Sequence, residues 1–173
     1  MIVAGIITAS NRSARGERVD ESGPVAAEFV RALGGEVRYQ VVVPDDVDAI
    51  ADAVREAAAQ GCTLVLTTGG TGLAPTDVTP EATRAVVDRE IPGIAEALRA
   101  RSLEKTPHGM LSRGIAGALG SALVVNLPGS PQAVRESLEV LAPAIPHALE
   151  LLAGGSGEAT HGAPTPTRTP LRE

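Results

Sequence analysis

The 173-residue chain has no tryptophan, one phenylalanine (Phe29) and one tyrosine (Tyr39). Its core must therefore be aliphatic, drawn from the valine, leucine and alanine of a composition that is 43% hydrophobic. The same shortage removes the stacking platforms on which single-stranded nucleic acid is held. Lysine is nearly missing as well: Lys105 stands alone, and the other fourteen basic residues are arginines. With a formal net charge of −6, the surface lacks the positive field that a nucleic-acid partner requires, and none is expected. Any phosphate contact must then come from backbone N–H groups, arginine or a metal. The single cysteine, Cys62, excludes an intramolecular disulfide and, in an apolar run, is expected to be an inert core thiol. Three histidines (His108, His147, His161) show no metal-ligand spacing. No apolar run approaches the ~20 residues of a membrane span, and the chain opens on a strand without a charged leader. A soluble, cytoplasmic protein with no membrane partner is expected.

What is present is an alternation of strand and helix patterns. Ile2–Ala9 is a continuous apolar run of strand length that ends in Ser10-Asn11-Arg12. Residues 10–20 are polar and read as a mobile loop. Val25, Phe29, Val30 and Leu33 recur at helical spacing, so a helix is expected over Ser22–Leu33, closed by Gly34-Gly35. Glu36–Val43 alternates as a strand should. Asp45 or Asp46 is placed to cap the next helix, whose apolar face is Val47, Ile50, Ala51, Val54 and Ala58. Strands at Cys62–Thr67 and Ala122–Leu127 and helices at Thr79–Arg89, Ile94–Leu103, from Pro131, and over Ala144–Leu152 complete the pattern. Between them, Pro107, Gly109, Gly114 and Gly117 read as breaks into short pieces. The expected fold is α/β, a three-layer sandwich with a mostly parallel central sheet flanked by helices, formed by one domain over residues 1–153. Residues 154–173, rich in Pro, Thr and Gly without periodicity, are expected to be a disordered tail.

The densest chemistry lies in residues 62–83, CTLVLTTGGTGLAPTDVTPEAT. A β-branched strand stops at Thr68-Gly69-Gly70-Thr71-Gly72, and a helix start follows: Thr79 as N-cap, Pro80 in the first turn, Glu81 at the positive end of the dipole. Asp77 stands between them. A glycine nest beside a helix start suits an anion, and the carboxylate suits a metal next to it. The P-loop lysine is absent, and Pro75 occupies the place where the dinucleotide fingerprint needs glycine or alanine. In open α/β sheets ligands gather beyond the carboxyl ends of the strands. Here those ends carry Thr8/Ser10/Asn11, Asp45/Asp46, Thr67 through Asp77, and Asn126 through Ser130, so four stretches are expected to meet on one rim.

With TTGGTG-x-APTDVTPEAT followed by IPGIAEALR, MLSRGIAG and NLPGSP in that order, the chain resembles the MogA/MoaB family of molybdenum-cofactor biosynthesis proteins, which shares its fold with the molybdopterin-binding domain of gephyrin. The resemblance covers residues 1–153. It implies a molybdopterin adenylyltransferase: molybdopterin attacks the α-phosphorus of Mg-ATP, giving adenylylated molybdopterin and pyrophosphate, before hand-over to a molybdenum-inserting protein. It also implies a homotrimer, with hexamers among relatives. Both reactants are anionic, so positioning and charge neutralisation dominate the chemistry. Asp77 and Asp45 are the expected catalytic acids, holding Mg2+. Thr68, Gly69, Gly70, Thr71 and Gly72 would receive phosphate. Pro128, Gly129 and Ser130 match the turn that holds the phosphate end of the pterin, and Ser112 and Arg113 match a position near it. Ser10 and Asn11 are added as substrate-binding candidates, with capping as their plain structural alternative. Some relatives carry arginine immediately before the acid at position 77; Thr76 here leaves that charge to Arg12, Arg15 or Arg113. The rival function is a non-catalytic molybdopterin-binding or scaffold protein of the same family.

Overall fold

The structure, a computed structural model, describes residues 1–155; the tail expected from residue 154 lies outside the described residues beyond that point. Six strands form one sheet: β1 (Val3–Ala9), β2 (Glu36–Val43), β3 (Leu64–Thr68), β4 (Arg89–Glu90), β5 (Ala116–Leu119) and β6 (Ala122–Leu127), in the order β2-β1-β3-β6-β5-β4. The helices are α1 (Asn11–Ala14), α2 (Ser22–Ala32), α3 (Val47–Ala59), α4 (Thr79–Arg84), α5 (Pro92–Leu103), α6 (Pro131–Leu141) and α7 (Ile145–Leu152).

The four strands β2, β1, β3 and β6 are mutually parallel, which is what helical crossovers impose. Period-two alternation sends their side chains to two separate cores. Ile6, Leu64, Leu66, Leu123 and Val125 meet α2, α6 and α7 on one face. Ile7, Val65 and Val124 meet α3 and α4 on the other. The largest fully buried side chains are all isoleucine, leucine or valine, as the scarcity of aromatics requires. The register aligns Thr8 with Thr68 and Thr68 with Leu127, so the carboxyl ends of the three central strands finish level. Among the described residues no helix is long and apolar enough to cross a membrane.

The departures from expectation are local. The expected helix over Thr79–Arg89 stops at Arg84, because Asp88 and Ile91 donate their N–H groups to Ala118 and Ala116 and draw Arg89–Glu90 into the sheet. Gly117, expected to be a break, lies within β5, which pairs antiparallel with β6. The short, glycine- and alanine-rich β5 carries too little alternation to announce itself, so the antiparallel edge is absent from the expected sheet. Residues 10–20, expected to be a mobile loop, contain α1, whose N-cap Ser10 accepts from the N–H of Ser13 at 3.2 Å.

Candidate functional site

The glycine nest is shaped by where its carbonyls go. Gly69 and Gly70 have φ of +87° and +64°, left-handed values that a side chain opposes. The Gly69 N–H donates to Leu127 O at 3.2 Å, linking the nest to the end of β6. Thr79 secures both glycine carbonyls: its hydroxyl donates to Gly69 O at 2.9 Å and its N–H to Gly70 O at 3.1 Å. Thr79 is therefore not the N-cap of α4; Val78 occupies that position. With the carbonyls tied back, the N–H groups of Gly70, Thr71 and Gly72 donate to no protein acceptor among the described residues. That is the condition for an anion-binding nest.

Arg113 holds the outer half of this loop. Its N–H donates to Thr71 O and its Nε to Gly72 O, both at 2.8 Å. Its guanidinium also reaches Asp77 O and the carboxylate of Glu81. The hydrogen bond from Arg113 pulls the Glu81 carboxyl below the usual glutamate range. A folded-state pKa below the unfolded one gives stability that is complete above the ordinary glutamate value and is lost as pH falls through the lowered one. Both side chains are more than a third exposed or close to it, so the contribution is at most about 1 kcal/mol. Thermal unfolding of wild type and Glu81→Gln should differ by a constant small amount above about pH 5 and converge as pH falls below about 4. A difference independent of pH in that range would show that the ion pair contributes nothing.

Asp77 is half-buried, with Oδ2 accepting from the Ala74 N–H at 3.0 Å. The carboxylate lies over the nest: a Cβ on Gly72 would stand 2.8 Å from Oδ2. Asp45 and Asp46 divide the two roles open to them. Asp46 caps α3, accepting from the Ala49 N–H at 2.9 Å. Asp45 pairs with Asn11 in both directions: its Oδ2 accepts from the Asn11 N–H at 2.8 Å, and its own N–H donates to Asn11 Oδ1 at 3.0 Å. Its Oδ1 faces Gly70. The second turn closes on the first, since a Cβ on Gly129 would lie 3.4 Å from the Gly69 Cα. Ser130 caps α6, its hydroxyl accepting from the Ala133 N–H at 3.2 Å.

These pieces enclose a cavity of about 330 Å³. Ser10, Asp45, Gly69, Asp77 and Ser130 all line it, so the four strand ends do share one rim. Asn11 does not line it and acts on it by bracing Asp45. Thr71, Gly72, Ser112 and Pro128 instead line a neighbouring cleft of about 470 Å³, on the other side of the wall made by the two glycine turns. Arg113 serves the loop from behind rather than facing either space with an unpaired charge. Asn126 is structural: buried, it donates to the hydroxyls of Thr67 and Thr83 at 2.9 and 2.8 Å and accepts from the Ile115 N–H.

One anchor is missing from the expected site residues. Asp20 Oδ2 accepts from the Thr8 hydroxyl at 2.8 Å, while Oδ1 accepts from the N–H groups of Ser22 and Gly23 at 3.1 and 3.0 Å. Thr8, Ser22 and Thr68 join through their hydroxyls. Asp20 thus fastens the 16–20 segment to the start of α2 and the end of β1, and closes one side of the cavity. The signal in the sequence is the capping pattern of an aspartate two residues before Ser22-Gly23-Pro24.

The lining carries four carboxylates, Asp20, Glu21, Asp45 and Asp77, against one arginine, Arg18. No group of three or more metal-ligating side chains occurs among the described residues. Asp45 and Asp77 each keep one carboxylate oxygen without a protein donor there. Two carboxylates with open positions fit Mg2+, which is usually held by one or two acids together with substrate phosphates and water.

The chain is similar over most of its length to several known proteins. A molybdopterin adenylyltransferase from Helicobacter pylori is 39% identical over 153 residues, covering 87% of this chain and 87% of that protein. Gephyrin from Dictyostelium discoideum is 40% identical over 160 residues; the match takes in 87% of this chain but only 22% of gephyrin. In structure, the molybdopterin biosynthesis enzyme MoaB from Thermus thermophilus superposes with a TM-score of 0.84 at 47% identity, over 91% of this chain and all (100%) of that one. Residues 5–147 match the family described as "Probable molybdopterin binding domain", and with those residues spanning most of both halves of the sheet, the chain belongs to that family.

Proposed function

We propose that this protein is a molybdopterin adenylyltransferase of molybdenum-cofactor biosynthesis, using Mg-ATP and releasing pyrophosphate. The observation that carries the reading is the wall formed by the glycine turns at 69–72 and 128–130, with an acid-lined cavity on one side and a hydroxyl-lined cleft on the other. The phosphate chain of ATP enters the cavity at the glycine nest, where Gly69 and Gly70 form the lining and the open N–H group of Gly70 receives it. Molybdopterin occupies the neighbouring cleft, with its terminal phosphate at the turn of Pro128, Gly129 and Ser130 and its pterin near Ser112. A phosphate oxygen of molybdopterin forms the new bond to the α-phosphorus, the bond from that phosphorus to the bridging oxygen breaks, and pyrophosphate departs.

The nucleophile is already an anion, so no general base is required, and the task of the protein is alignment and charge control. Asp45 and Asp77 would hold Mg2+, which would supply neutralisation of the charge on the phosphates. Asn11, Thr79 and Arg113 keep those acids and the nest in place. The reading extends to a cytoplasmic homotrimer or hexamer that passes its product to a molybdenum-inserting protein. Exposed apolar side chains at Leu73 and Leu111, on the rim of the cleft, support association there.

The test is a reconstituted assay. Purified protein given molybdopterin, ATP and Mg2+ should release pyrophosphate, and leaving out any one of the three should abolish the signal. Retention of molybdopterin with no pyrophosphate released in the complete mixture would replace the enzyme by the non-catalytic binding protein.

A further inference from the structure

The charge that Thr76 does not provide has a specific candidate source. Of the three arginines suggested by the sequence, Arg113 is committed to Glu81 and to the carbonyls of the loop. Arg15 donates through Nε and Nη2 to both carboxylate oxygens of Glu17, at 2.8 and 3.0 Å, and that bond raises the arginine further above its usual range. Arg12 does not line the cavity. Arg18 does, and it is the only basic side chain that does so among the described residues. It takes part in no ion pair and no side-chain hydrogen bond there, although Glu17, Asp20 and Glu21 are its near neighbours in sequence. Each of the first two is occupied elsewhere: Glu17 with Arg15, and Asp20 with Thr8, Ser22 and Gly23.

An arginine that lines the same cavity as four carboxylates, yet pairs with none of them, keeps its full fork of donors for a ligand. Asp20, two residues away, is fixed by four hydrogen bonds to β1 and α2. The backbone carrying Arg18 is therefore anchored beside the cavity rather than trailing in solvent. We propose that Arg18 is the phosphate-binding guanidinium of this site: it takes the phosphate chain of the nucleotide from the side opposite the glycine nest, and it does the work that an arginine before Asp77 would otherwise do. The inference rests on the nucleotide reading above. Its chemistry is that of a bidentate arginine–phosphate contact, whose planar fork matches two phosphate oxygens where an ammonium group matches one point.

The experiment is titration calorimetry of the full chain with Mg-ATP and, separately, with adenosine, comparing wild type with Arg18→Gln, Arg18→Lys and Arg15→Gln. Arg18 is exposed and makes no internal contact that folding depends on, so the variants should be as stable as wild type. Arg18→Gln should weaken Mg-ATP binding roughly 10- to 100-fold, the value of a charge-assisted hydrogen bond. Arg18→Lys should recover part of that loss. Arg15→Gln should bind as wild type does. Adenosine, which has no phosphate, should bind all four proteins equally. Wild-type affinity for Mg-ATP in Arg18→Gln would overturn the proposal and leave the enzyme reading standing, and so would an equal loss of adenosine. Failure of wild type itself to bind Mg-ATP would remove the nucleotide reading and this proposal with it.

Discussion

Asp77→Asn is expected to slow pyrophosphate release roughly 100-fold or more while leaving molybdopterin binding intact, the scale seen when one preorganised charge-stabilising group is removed. The substitution keeps the shape of the side chain. Asparagine can still present an oxygen to the Ala74 N–H, so the bond at 3.0 Å that holds the 74–77 turn survives. What is lost is negative charge on the oxygen that no protein group satisfies. Asp77 lines the cavity, whereas the pterin is assigned to the cleft beyond the glycine wall. Loss should therefore fall on turnover and on the Mg2+ concentration needed for it, with little change in pterin retention. Steady-state rates across a Mg2+ series, together with pterin retained on the variant, separate these effects. Normal turnover would remove Asp77 from the mechanism, and equal loss of pterin would mean that the two spaces are not independent.

Gly69→Ala should be the most damaging single methyl group in the site. Its φ of +87° lies where an L-residue is strained by about 1–2 kcal/mol. The added Cβ would also stand 2.5 Å from the carbonyl oxygen of Ala9. That oxygen belongs to the backbone at the end of β1 and cannot rotate away. Relief requires the nest to shift, which breaks the Gly69 N–H bond to Leu127 or the Thr79 hydroxyl bond to Gly69 O. Strain and broken bonds together should cost about 3 kcal/mol or more. In a domain of this size that is a fall of roughly 10 °C in Tm, measurable by calorimetry. Gly129→Ala makes the control, because its Cβ would meet the Gly69 Cα only at the ordinary distance of 3.4 Å. A Tm within about 2 °C of wild type for Gly69→Ala would mean that the loop is not held as tightly as its bonds indicate.

The outline of this molecule is legible in its sequence because the central strands are buried on both faces. Such strands read as unbroken apolar runs, and the turns after them stand out by contrast. The glycine nest, the capping roles of Asp46 and Ser130, and the meeting of four strand ends all follow from local chemistry placed at the ends of parallel strands. The edge β4–β5 is not legible, since Arg89–Glu90 owes its strand state to bonds with residues 116–118 and to nothing in its own composition. Thr79 resembles a cap because the sequence shows a hydroxyl before Pro80; that its oxygen turns back to Gly69 depends on the approach of the loop. Arg113 resembles a ligand residue for a similar reason. An arginine in a glycine-rich stretch suggests an open charge, but its partners, Gly72 and Glu81, are 41 and 32 residues away.

The two-way bonding between Asn11 and Asp45 has a mechanical meaning. It closes a small ring between the turn after β1 and the turn after β2, so neither end of the pair can swing without dragging its partner. A cation drawing on the unshared oxygen of Asp45 would tug the first turn of α1 along with it. Ligand capture at one turn would in this way be felt at its neighbour, the two turns moving as a single plate rather than as two flaps.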